Sequence, residues 1–240
     1  MTPSIDPPSA DPAVVAEAAG NVVSILSAVA TSAPVAVPLA PAPSATVRKR
    51  PKPGERRVQI LQTLASMLEQ PGADRITTAA LAARLEVSEA ALYRHFASKA
   101  QMFEGLIEFV EQSVFTLVNQ IAEREPDAVL QAQKMLTVLL QFGEKNPGMT
   151  RVMVGDALVF ENDRLLARMN QFFERLESQL RQSLRAAAEA AGSATPTADA
   201  QAQASVLTAF AVGRLQRYAR SGFKRSPTEH LDVALRLMCS

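Results

Sequence analysis

Cysteine is almost missing from this 240-residue chain, and tryptophan is missing altogether. The single Cys239 excludes an intramolecular disulfide and reads as an incidental apolar residue rather than a reactive thiol. Histidine is nearly as scarce. His95 and His230 stand far apart, so no Cys/His spacing suits a metal. There is no glycine-rich phosphate loop and no nucleophile elbow. The acid pair Glu161 and Asp163 is expected in the solvated first turn of a helix, where carboxylates suit the macrodipole. Catalysis, metals and cofactors are therefore not expected. No run is long and apolar enough to span a membrane: the best candidate, 14–26, carries Glu17 and Asn21 and has no basic residues ahead of it, as a secretory signal would. A soluble cytoplasmic protein is the expectation.

Positive charge is absent before Val47, and 1–47 consist almost entirely of Ala, Pro, Val, Ser and Thr. Such small side chains bury little area, and prolines flank the one stretch with helical tendency, so 1–47 are expected to be disordered. The charge then changes abruptly. Within 48–57 lie Arg48, Lys49, Arg50, Lys52, Arg56 and Arg57 against Glu55 alone. Pro51 and Pro53 should keep this arm extended, able to follow phosphates or a minor groove with mainly nonspecific affinity. A net charge of +1 for the whole chain hides this asymmetry.

The segment 77–103 reads as two short helices joined by a tight turn and followed by a third. Thr77 or Thr78 can cap the first helix, and Leu81 and Leu85 repeat at i and i+4 on its buried face. Glu86-Val87 would turn the chain, with Glu86 standing where a left-handed glycine would be comfortable. Ser88 caps the second helix, and Ser98-x-x-Gln101 forms a capping box that opens a long third one. A helix-turn-helix of this kind presents the N-terminal end of its second helix to the DNA major groove. Two amphipathic helices in an adaptor that binds no DNA would give the same pattern. On the DNA reading, Ser88, Ala90 and Ala91 face base edges, the alanines against thymine methyls. Tyr93, Arg94, His95 and Lys99 serve as further DNA contacts, mainly to phosphates, and Thr77 and Thr78 anchor the preceding helix to the backbone. His95 has the alternative of a partly buried structural histidine.

From Ser98 onward the apolar spacing is helical throughout, with no sustained alternation of period two. Helices are predicted over about 98–122, 127–145, 149–155, 159–191, 199–221 and 227–238, with Asn146-Pro147-Gly148 as a stop and Pro227 as a first-turn proline. The chain is thus all-α: a disordered 1–47, an arm and helix-turn-helix unit over 48–101, and a larger helical body over 102–240. On the helix from Ser98, Phe103, Leu106, Ile107, Val110, Val114, Leu117, Val118 and Ile121 form one stripe. Phe109 falls roughly 110° off its centre, and Phe115 falls among Glu104, Glu108 and Glu111. Both either pack against neighbouring helices or form an acid-rimmed apolar patch for a partner. Phe210, Leu215 and Leu235 on the last two helices are candidates for a four-helix bundle across a two-fold axis, giving a homodimer. Half-sites of a palindrome would then lie about one helical turn apart.

At Tyr93-Arg94-His95-Phe96-x-Ser98-Lys99, followed by a long linking helix and an all-helical body, the chain resembles the TetR repressor family. Blocks at 75–83, 87–111, 142–151, 170–182 and 221–228 are similar to its nucleoid occlusion branch. That resemblance spans about residue 55 to the C-terminus. It implies a nucleoid-associated homodimer that binds palindromic chromosomal sites, contacts the division protein FtsZ and inhibits ring assembly over DNA, without a small-molecule inducer. It also implies Phe109, Lys145 and Asn146 as the FtsZ-contacting positions, with Leu117 standing where an arginine is expected. The competing reading is a ligand-responsive TetR-type transcriptional repressor, whose body would hold convergent polar groups in an apolar cavity.

Overall fold

The computed structural model describes residues 55–70 and 76–239. The extension 1–47 and the first part of the basic arm lie outside the described residues. Among the described residues, nine α-helices and one 3-10 turn follow one another and no strand occurs. They are α1 (Glu55–Leu68), α2 (Thr78–Arg84), α3 (Glu89–Tyr93), α4 (Lys99–Arg124), α5 (Ala128–Lys145), α6 (Pro147–Met153), the 3-10 turn Asp156–Leu158, α7 (Asp163–Ala190), α8 (Pro196–Arg220) and α9 (Leu231–Met238).

The first three helices form a head around Ile60, Leu64, Leu68, Leu81, Leu92 and Phe96, each at most 1% exposed. Burial of side chains this size supplies roughly 1.5–3 kcal/mol apiece, which is how helices as short as α2 and α3 persist. In the body, α4, α5, α7 and α8 pack around Val114, Val118, Met135, Leu136, Leu139, Leu176, Leu180, Leu207 and Leu215. Asp127 caps α5 through the amides of Val129 and Leu130, and Asn162 caps α7 through that of Arg164.

Several boundaries differ from those predicted. Arg56 and Arg57 belong to α1, because the last proline of the arm, Pro53, precedes the helix start and cannot interrupt it. Pro147 and Gly148 do not separate two helices; they form the first turn of α6, where a proline loses nothing by lacking an amide. α7 begins at Asp163 rather than 159, leaving Val159 and Phe160 68% and 66% exposed in the preceding turn. The last helix begins at Leu231, not Pro227. Ser226 and Thr228 donate their hydroxyls to the Glu144 carboxylate at 2.5 and 2.6 Å, which holds that segment as a turn against α5.

Head and body meet over Gly105 of α4, where an added Cβ would lie 3.1 Å from the Leu61 side chain, and at a closer approach of α6 to α1. An ideal Cβ placed on Gly148 would lie 2.2 Å from the Ala65 carbonyl oxygen, so α6 touches α1 backbone to backbone. Three ion pairs join α4 to α7 and its approach: Lys99–Glu161, Glu104–Arg164 at 2.5 Å and Glu111–Arg168 at 2.5 Å.

Candidate nucleic-acid interface and partner face

The helix-turn-helix is built by caps. Thr77 accepts the Ala80 amide at 3.1 Å to open α2, and Ser88 accepts the Ala91 amide at 3.3 Å to open α3. Between them, Glu86 N–H donates to Ala83 O and Val87 N–H to Ala82 O, the paired bonds of a Schellman turn. Glu86 takes φ 53°, the left-handed conformation that glycine adopts freely. Thr78 donates to the Glu89 carboxylate at 2.6 Å, tying the start of α2 to the start of α3. Ser98 accepts the Gln101 amide, while Gln101 reaches back to the amide of Ala97. The capping box is present with its return bond one residue further out than in the usual form.

On the face these caps define, Thr77, Ser88, Ala90, Tyr93, Arg94 and His95 are exposed and Thr78 and Ala91 half-exposed. Thr77 and Ser88 stand at the two N-caps and Ala90 in the first turn of α3, while Tyr93, Arg94 and His95 lie at and just past its end. His95 is not the buried histidine that was the alternative. Its carbonyl accepts from the Arg57 guanidinium at 2.9 Å, and that guanidinium lies 4.1 Å from the centre of the Phe96 ring. Arg57, read from sequence as part of a mobile arm, clamps the C-terminal end of the recognition helix. Lys99 also has a role the sequence did not show: its ammonium is paired with Glu161, and the Glu161 side chain is only 10% exposed. The expectation that Glu161 would be a solvated first-turn acid is therefore corrected; it precedes the helix and pairs across to α4.

On the body, Phe109 is half-buried, with its ring 6.0 Å from that of Phe142. Asn146 donates its side-chain amide to the Phe142 carbonyl at 2.8 Å, and Lys145 beside it is exposed. Phe142 is the residue that sequence reasoning left out of this face: it joins Phe109 to Asn146. Phe115 is buried, edge-on to Phe172 at 5.3 Å with the Arg175 guanidinium 3.9 Å from its ring centre, so it does not belong to a free patch. The acids around it face α7, not solvent alone. Glu111 strengthens the hold of Arg168 on its proton, outweighing the opposing effect of burial. Leu117 is 7% exposed and serves the core.

On the last two helices, Leu215 and Leu235 are 0% and 3% exposed within the protomer, which corrects their assignment to a dimer surface. Leu215 fills the space over Gly143. Phe210 is half-buried beneath the Arg214 guanidinium at 4.9 Å, and burial together with Arg217 loosens the hold of Arg214 on its proton. The exposed apolar side chains are Val206 (58%), Val233 (49%) and Leu237 (76%). Val233 and Leu237 share a face of α9 at i and i+4, a spacing that could have flagged them.

Residues 60–106 match the model for bacterial regulatory proteins of the tetR family, and residues 126–240 match the SlmA-like C-terminal domain, described as tetracyclin repressor-like. The nucleoid occlusion factor SlmA of Photobacterium profundum is 53% identical over 182 residues, covering 75% of this chain and 92% of its own. That of Alteromonas mediterranea is 51% identical over 181 residues, with the same coverage. This chain belongs to the SlmA family. It is a TetR-type DNA-binding regulator and not an enzyme. Among solved structures, the regulator FadR from Bacillus subtilis in complex with stearoyl-CoA superposes with TM-score 0.61 at 13% identity, over 76% of this chain and 97% of that one. KstR2 of Mycobacterium tuberculosis gives 0.59 at 18%, over 78% and 94%. At such identities the two structures establish the shared TetR fold alone. No helix among the described residues is long and apolar enough to cross a membrane.

Proposed function

We propose that this SlmA-family chain acts as a homodimer on palindromic chromosomal sites, and that its body contacts FtsZ and blocks ring assembly over the nucleoid. Ser88, Ala90 and Ala91 read base edges, while Thr77, Thr78, Tyr93, Arg94 and His95 position the head on the backbone. Lys99 exchanges Glu161 for a phosphate on binding. Two copies associate through Val206, Phe210, Val233 and Leu237, so that one head meets each half-site.

The observation that carries the partner reading is the arrangement of Phe109, Phe142, Asn146 and Lys145. A half-exposed aromatic anchor sits over a ring whose own carbonyl holds an amide side chain, with an exposed cation next in sequence. Such a pairing of apolar anchor and charge is what small hot spots consist of, and the cation suits an acidic segment of FtsZ. The test is co-pelleting of FtsZ polymers with the protein bound to its DNA site, for wild type, Phe109→Ala and Lys145→Asp. FtsZ binding should fall in both variants while DNA affinity is kept. Loss of both activities would show that these residues only support the fold. DNA binding with no FtsZ interaction in wild type would leave a transcriptional repressor.

A further inference from the structure

Cations gather where α8 ends and the chain turns back toward α9. Arg220, Lys224 and Arg225 are exposed, as is Lys145 at the end of α5, and none of the four forms an ion pair with a described residue. Arg217, one turn earlier, is held 3.9 Å from Glu229.

The loop that carries Lys224 and Arg225 is held from several directions. Gly222, at φ 63°, gives the left-handed residue of a Schellman turn, and Phe223 N–H closes it on Tyr218 O at 3.0 Å. Phe223 is itself left-handed at φ 64°, a strained backbone for an aromatic residue that persists only where the surroundings impose it. Its ring packs 5.2 Å from that of Tyr218 and 5.6 Å from the Arg151 guanidinium. The Ser221 hydroxyl oxygen accepts the amides of both Lys224 and Arg225, at 3.1 and 2.9 Å. The next residues, Ser226 and Thr228, donate to the Glu144 carboxylate, and Tyr218 donates its phenol to the Glu144 carbonyl at 3.0 Å.

Glu144 is therefore the hinge pin of the arrangement. It bonds the residue after Arg225 and is itself the residue before Lys145, so the two cationic segments lie side by side. Its carboxylate is taken up by two hydroxyls. The other acids near this end are Glu229, shared with Arg217, and Glu69, whose charge acts on Tyr218. The face keeps a positive excess.

We propose that Lys224 and Arg225 extend the docking face of Phe109, Lys145 and Asn146, and that they take acidic residues of the same FtsZ segment. This rests on the FtsZ reading given above. Duplex DNA is the less favoured occupant on geometry. Glu69, just past the C-terminal end of α1, is close enough for its charge to act on Tyr218, whereas Arg57, near the N-terminal end of α1, clamps the recognition helix. Fourteen residues of helix, about 20 Å, lie between these two ends.

The experiment compares Lys224→Glu/Arg225→Glu, Lys145→Asp, Phe109→Ala and wild type as full-length protein, with thermal melts to confirm folding. Purified FtsZ and a labelled duplex site are titrated separately at two salt concentrations. The double reversal should weaken FtsZ binding about tenfold at low salt and less at high salt, with the DNA isotherm unchanged. Unchanged FtsZ affinity in the double variant, while Lys145→Asp and Phe109→Ala still lose it, would overturn the extension and leave the docking site standing. If none of the three alters FtsZ binding, both ideas fall. A drop in DNA affinity on all sequences alike would place the loop on phosphates and also overturn the proposal.

Discussion

Replacing Gly148 by alanine should push α6 away from α1 and loosen the head on the body. The added Cβ would meet the Ala65 carbonyl oxygen at 2.2 Å, its carbon at 3.0 Å and its Cα at 3.4 Å. Those atoms are helix backbone, so no side chain can swing aside. Restoring ordinary contact requires α1 and α6 to part by roughly 1 Å or more. Overpacking of this kind costs about 1–3 kcal/mol, and at the second residue of α6 the interior helix-propensity gain of alanine offsets little of it. For a chain of this size each kcal/mol moves Tm by about 2–4 °C, so a fall of roughly 2–12 °C is expected. Gly213 is the matched control: it also lies within a helix, but a Cβ there meets nothing within 4 Å. Gly213→Ala should raise Tm by about 1–4 °C in the isolated protomer, through propensity alone. Circular dichroism melts read both variants. A Gly148→Ala protein that melts with or above wild type would refute the close approach of α6 to α1.

Three further outcomes follow from the ion pairs and the last two helices. Lys99→Ala should weaken binding to all DNA sequences alike and lower the salt slope by about one, while Glu161→Gln, which frees the same ammonium, should strengthen binding; anisotropy titrations against salt check both. Val206→Glu with Leu237→Glu should give folded monomers in sedimentation, whereas Leu215→Glu should fail to fold; a folded Leu215→Glu protein would contradict its place in the core. Glu125 is held below the ordinary carboxylate range, first by its bond to Lys134. A carboxylate with a depressed pKa stabilises the fold above its unfolded value and loses that contribution as pH falls through the folded one. Urea midpoints of wild type and Glu125→Gln should therefore differ near neutrality by about 1 kcal/mol or less and converge in acid.

The helix-turn-helix was legible because its signals are local. Thr77, Ser88 and Ser98 cap the helices that their positions announce, and Glu86 adopts the left-handed turn that its place in the pattern demanded. The body's helices were legible from apolar spacing, although the starts of α7, α8 and α9 shifted by three or four residues. What spacing cannot show is which neighbour a side chain meets. Arg57 on the recognition helix, Lys99 on Glu161 and Glu144 under Ser226 and Thr228 are pairings across 38, 62, 82 and 84 residues. The same limit explains Leu215 and Leu235. An amphipathic stripe tells how much of a helix is buried, not whether its own protomer or a second one does the burying.

The left-handed Glu86 has a consequence for how this molecule opens. A residue with a Cβ in that conformation costs about 1 kcal/mol or more relative to glycine, and it does so between helices of seven and five residues. The strain falls on two of the shortest helices among the described residues. Amides of α2 and α3 should therefore lose their deuterium protection through sub-global openings, while those of α5 and α7 exchange only when the whole body unfolds. Duplex bound across the head would close those openings by mass action, slowing exchange at the turn more than anywhere else.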